Sequence, residues 1–182
     1  MSFLKFLGLG ADAATETHGA PAPETETVRK IVQELDQLPP ERAHYIAAFA
    51  YLLSRAARAD LHIGEGETRV MERIIIEEGG LPEEQALIVV QMAKTQARLF
   101  GGTENYLVTR EFERIATRQQ KLALLECLFA VTAADENISS REDNVVKQIA
   151  SELKLEHGDY IAARSRFREH LAVMKLGKRA AK

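Results

Sequence analysis

The chain has 182 residues, 46% hydrophobic and 28% charged, which is one domain of ordinary size with enough apolar material for a core. A single cysteine, Cys127, excludes a disulfide scaffold and a cysteine-ligated zinc knuckle. A net charge of −3 speaks against a nucleic-acid coat, so no nucleic-acid partner is expected. Counts of 26 Ala, 21 Glu and 20 Leu against 11 Gly and 5 Pro point to helices, and no apolar run reaches the ~18 residues of a membrane span.

Residues 1–27 read as a flexible arm and linker. Phe3, Leu4, Phe6, Leu7 and Leu9 surround Lys5 in a start too short and too interrupted for a signal peptide; such a stretch either packs, frays, or lies on a membrane or partner. Pro21 and Pro23 then favour extended backbone. A short helix is expected at Val28–Gln37. Over residues 41–59, Ile46, Phe49, Ala50, Leu53 and Ala57 make one face of a helix, with Pro39 and Pro40 at its start. Val70, Met71, Ile74 and Ile75 stripe the next, which Gly79-Gly80 stops. A helix opened by Pro82 carries Ala86, Val89, Val90, Ala93, Ala97 and Phe100 to the break at Gly101-Gly102. Further helices are expected at 104–116, 118–133, 140–153 and 157–174, the last striped by Tyr160, Ala163, Phe167, Leu171 and Met174. The fold class is therefore all-α, a compact bundle of about seven or eight helices at 28–174. The end is basic: from Arg164 onward, seven cations face Glu169 alone, with residues 175–182 as a tail.

Shifted by 75 residues, the chain matches itself. Nine of 31 positions are identical between 47–77 and 122–152, where composition alone gives roughly two. Each copy is a helix-loop-helix hairpin. The loops read Ala59-Asp60-Leu61-His62-Ile63-Gly64-Glu65-Gly66-Glu67 and Ala134-Asp135-Glu136-Asn137-Ile138-Ser139-Ser140-Arg141-Glu142. Two readings stand side by side. In the structural one, Ser139 and Glu142 form a capping box, Gly64 and Glu67 a weaker copy, and Ile63 and Ile138 pin the chain's entry. In the functional one, Asp60, Glu67, Asp135 and Glu142 are oxygen ligands for Ca²⁺ or Mg²⁺. Hairpins packed face to face would pool all four; one Asp and one Glu alone bind weakly, at the ~10⁻⁴–10⁻³ M end of the calcium scale.

The repeated A-D-x-x-I-x-x-x-E pattern resembles the tellurite-resistance protein B (TerB-like) family, and the module resembles the N-terminal region of membrane-anchored J-domain co-chaperones; the likeness covers about residues 41–170. It implies an all-α bundle of seven or so helices in a bacterial protein, with a divalent-cation site at Asp60, Glu67, Asp135 and Glu142. It also implies a role in tellurite and chemical stress through complexes near the inner membrane face, and no established enzymatic activity. The family often has Gly after the Asp; here Leu61 and Glu136 stand there, for which left-handed backbone is costlier.

No catalytic constellation appears. Cys127 falls beside an apolar helix face between Leu125 and Leu128, where a thiol is inert. His18, His44, His62, His157 and His170 lack metalloprotease spacing, although His62 can join the first loop as a ligand. Neither Gly64-Glu65-Gly66 nor Gly101-Gly102 is a phosphate loop. The expectation is a non-enzymatic cytoplasmic interaction module for a protein partner and a divalent cation. The alternatives are a membrane-peripheral stress protein held at the inner membrane by residues 1–9 and the basic tail, and a metal-dependent hydrolase.

Overall fold

The computed structural model describes residues 31, 33–57, 65–99, 105–134 and 136–172. They form seven α-helices: α1 (Pro40–Ala57), α2 (Glu65–Glu77), α3 (Glu83–Leu99), α4 (Asn105–Ile115), α5 (Arg118–Thr132), α6 (Ser140–Glu152) and α7 (His157–Arg166), with a 3₁₀ turn at Arg168–His170. Residues 31 and 33–36 are helical as well, and Ile31 and Leu35 are buried in the core. The only pairing outside helices among the described residues is one parallel bridge between Ile138 and Leu171. The all-α bundle expected from periodicity is what the chain adopts. The arm at 1–27 and the tail at 175–182 lie outside the described residues.

The duplicated hairpin sets the frame. The end of α1 and both ends of α2 recur 75 residues later as the end of α5 and both ends of α6. The third helices also correspond, since α7 starts 74 residues after α3; the structure thus extends the repeat to three helices per copy, with α4 between the copies. The copies pack reciprocally. The first helix of each touches the second helix of the other, α1 with α6 and α5 with α2, while α1 and α5 meet at the centre.

Helix α1 was expected to bury one face. Instead its middle is buried all round: every residue from Tyr45 to Ser54 is buried. The reason is its position, with α3, α4, α5 and α6 all against it; a helix so enclosed has no polar side to present. Tyr45, Phe49 and Phe112 of α4 form an aromatic cluster, with Tyr45 and Phe112 stacked at 5.2 Å. Burial pushes the Tyr45 hydroxyl up to about 12, against the opposing pull of Arg42.

Helix ends follow local chemistry. Thr117 caps α5 in a box with Gln120, each side chain meeting the other's backbone N–H. Gly80 ends α2 in the left-handed region at φ 63°, as the Gly79-Gly80 pair predicts. At the end of α6, Lys154 takes the same conformation at φ 58°. There the Leu155 N–H donates to Ala150 O and the Lys154 N–H to Ser151 O, the pair of bonds that usually recruits glycine. Its exposed ion pair with Glu113 at 3.3 Å contributes little. Lys154→Gly is therefore expected to raise stability by about 1 kcal/mol, read as a higher urea midpoint with unchanged slope.

The last helix is shorter than expected. Periodicity carries it to residue 174, yet α7 stops at Arg166. Phe167 leaves helical geometry at φ −106°, ψ 19° and stacks on Phe129 at 5.9 Å. A 3₁₀ turn then brings Leu171 beside Ile138. Buried backbone groups in an irregular turn need partners, and this departure supplies them: the Ile138 N–H donates to His170 O at 2.7 Å, and the Ala172 N–H donates to Ile138 O at 2.9 Å.

The excess of cations at the C-terminal end is partly internal. Arg164 grips Asp143, and Arg166 pairs with Glu126 at 2.8 Å and Glu78 at 3.6 Å, so two of the seven basic residues are engaged with the bundle. No described helix is long and apolar enough to cross a membrane.

Candidate functional site

The second acidic turn can be built residue by residue. Helix α5 ends at Thr132, whose hydroxyl donates to the carbonyls of Leu128 and Phe129, both at 3.0 Å. Ala133 closes the helix, and the Glu136 N–H donates back to Ala133 O at 2.8 Å. Glu136 sits at φ 65°. In this copy the position after the aspartate takes the left-handed backbone, and a non-glycine residue adopts it. Ile138 is buried and held by the 170–172 segment. Ser139 then caps α6. Its hydroxyl accepts from the Glu142 N–H at 3.2 Å, and the Glu142 carboxylate accepts from the Ser139 N–H at 2.7 Å. The capping box read from Ser139-Ser140-Arg141-Glu142 is thus present.

Glu142 is only 5% exposed. Burying an ionised carboxylate is costly unless hydrogen bonds hold it, and the α6 N-terminus supplies an amide and a favourable dipole. The next residue, Asp143, turns to α7. It accepts from the Tyr160 hydroxyl at 2.5 Å and from Arg164 Nε and Nη2 at 3.0 and 2.8 Å. Burial pushes the Asp143 carboxyl up, but these bonds and the Arg164 charge outweigh it and hold it below the usual range; the Tyr160 hydroxyl moves up, through burial and the same bond.

Of the four proposed ligands, only the Glu142 side chain is described. Asp60 and Asp135 lie outside the described residues; Glu67 lies in α2, with its side chain likewise outside. His62 is also outside. Among the described residues, no three His, Cys, Asp or Glu side chains gather as a metal site would require.

The helix ends that lead into the two turns are placed. Arg55, in the last turn of α1, makes a two-pronged bond to Glu152 at 2.6 and 2.9 Å, and donates to Thr109 at 3.0 Å. Glu152 closes α6, ten residues beyond Glu142, or about 15 Å along the axis at the usual helical rise. The reciprocal contact agrees. The end of α2 lies on α5 at Cys127, where Gly79 approaches the sulfur and Cys127 Sγ donates to Ile74 O at 3.7 Å. The exit of α1 thus neighbours the far end of α6, and the far end of α2 lies against α5 five residues before that helix ends.

Three groups that matter here were not singled out from sequence. Thr117-x-x-Gln120 carries the same capping signature as Ser139-x-x-Glu142 and was legible. Arg55 and Asp143 were not, because their partners lie 97 and 21 residues away. Cys127 is buried as expected; burial, then the charges of Glu78 and Glu126, push its thiol up and away from reactivity.

A family model described as tellurite resistance protein TerB matches residues 45–165. No curated protein and no solved structure gives a significant match.

Proposed function

The chain belongs to the tellurite resistance protein TerB family, and from that premise we propose that it acts by binding rather than by chemistry. In this reading it is a non-enzymatic helical interaction module, with a protein partner, whose duplicated acidic turns each take a divalent cation, Ca²⁺ or Mg²⁺. The observation that carries the reading is Glu142: a carboxylate 5% exposed, held in a preformed turn whose backbone is fixed on both sides. Hard cations prefer oxygen ligands presented in this way. The ligands are Asp135 and Glu142 in the second turn, and Asp60 and Glu67 in the first.

The placement of Arg55 against Glu152 favours one cation per turn over a single pooled site. Two carboxylates make a weak site, and the positive end of the α6 dipole opposes a cation there. Affinity near the millimolar end follows.

With a dissociation constant of ~1 mM, 10 mM Ca²⁺ stabilises the fold by about 1.4 kcal/mol per turn, or about 3–5 °C in a chain of this length. Asp135→Asn removes the second turn's share, and adding Asp60→Asn removes the rest. A melting temperature indifferent to Ca²⁺ and Mg²⁺ overturns the cation reading, because a ligand of the folded state must raise stability. Metal-dependent turnover of a phosphoester that disappears in the same variants would return the hydrolase alternative.

A further inference from the structure

The third helices of the two copies end differently. In the second, the chain leaves helical geometry at Phe167 and crosses the acidic turn through residues 168–172. In the first, the positions in register, 93–97, lie inside α3, which continues to Leu99. A segment running within a helix uses its N–H and C=O groups internally and has none left for a neighbouring turn. Among the described residues, the bridging element occurs in the second copy alone.

We propose that residues 168–172 are a C-terminal strap that locks the second acidic turn, and with it Glu142, in the shape described. Three observations converge on it. Both backbone groups of Ile138, buried in a turn with no helical partner, are satisfied by the strap, through His170 O and the Ala172 N–H. Leu171 and Ile138 are each 1% exposed, so the bridge also buries an apolar pair. Ser139, whose N–H holds the Glu142 carboxylate, directly follows Ile138. Displacing the strap exposes Ile138 and hands its N–H and C=O to water, at the loss of both bonds and of the buried apolar pair. The hold on Ser139 weakens at the same time.

The strap also leads directly into the basic terminal segment with Lys175, Lys178, Arg179 and Lys182. The functional weight of the lock on Glu142 rests on the cation reading above; the strap itself does not, and it is tested without any cation.

The test is amide hydrogen exchange on the full chain with two variants. Ala172→Pro removes the N–H that bonds Ile138 O, and Leu171, at φ −67°, ψ 121°, already has the extended backbone that precedes proline. Leu171→Ala removes the buried side chain and keeps the bonds. In both, the Ile138 amide should exchange at least tenfold faster, with the Ser139 and Glu142 amides following. Amides of α1 and α5 should keep their protection. Unchanged exchange at Ile138 overturns the proposal, since the capping box would then hold the turn unaided. Equal acceleration throughout α1 and α5 overturns it too, since the segment would then be an ordinary part of the global fold. A chain with no response to Ca²⁺ but the predicted local exchange removes the cation reading and leaves the strap standing.

Discussion

Replacing Arg55 with methionine lowers the stability by about 3 kcal/mol or more, which in a chain of this length is about 6–12 °C in melting temperature. The Arg55 and Glu152 side chains are 9% and 14% exposed and bonded through two prongs. Removing the cation leaves Glu152 desolvated and without its main partner, and breaking a buried pair in this way costs far more than the net worth of the pair. The double variant Arg55→Met/Glu152→Met should recover most of the loss, because two apolar side chains need no counter-charge. If the double variant is no better than the single, Arg55 acts through packing of its stem rather than through charge.

The same pair fixes a pH signature. Burial pushes the Glu152 carboxyl up, but the bonds from Arg55 and Thr109 and the Arg55 charge outweigh it, so its folded value lies below the usual one. Its ionised form therefore contributes stability above the unfolded value near ~4.3, and the contribution disappears as pH falls through the folded value. In Arg55→Met the bonds from Thr109 and Gln148 remain, but the Arg55 bonds and charge are gone, so the folded carboxyl lies higher than in the wild type and less stability is lost as the medium turns acid. The gap between wild type and variant should narrow from pH 7 to pH 4 in urea unfolding; a constant gap contradicts the assignment.

Gly79→Ala is expected to destabilise by about 2 kcal/mol. A Cβ at this position meets Ile75 O at 2.5 Å and Cys127 Sγ at 3.1 Å. The first neighbour is backbone of the same helix end and cannot swing aside, so relieving it means re-forming the last turn of α2, and the second contact sets that altered end against α5. Gly80 is the control. Its added Cβ meets nothing within 4 Å, and Gly80→Ala carries only the left-handed penalty of about 1 kcal/mol. Thiol labelling reads the same event. Cys127 is buried and should label slowly in the wild type, and Gly79→Ala should accelerate its labelling more than Gly80→Ala does. Equal effects of the two substitutions would mean that the close approach of α2 to α5 carries no weight.

How much of this was legible in the sequence varied with the range of the interaction. The Gly79-Gly80 stop, the proline-led starts of α1 and α3 and the Ser139–Glu142 box all depend on residues within one turn of each other, and they stand as read. The end of α7 does not. Its stripe of Tyr160, Ala163, Phe167 and Leu171 is helical in spacing, yet the unsatisfied backbone of Ile138, some thirty residues earlier, draws the chain out of the helix. Leu171 is buried as the stripe requires, but by a bridge rather than by a helix face. In the candidate site, the cap on Glu142 was visible in four consecutive residues, and the strap over it was not.

The duplicated register, the helical class and the position of nearly every helix end were determined by the sequence alone, because period, caps and breakers act locally along the chain. Three things were decided only by tertiary structure: the enclosure of α1 from Tyr45 to Ser54, the pairing of Arg55 with Glu152, and the crossing of the second acidic turn by the C-terminal segment. Each depends on a buried group finding its partner across a long stretch of chain, and that choice is made by what the packed bundle leaves unsatisfied rather than by any neighbouring residue.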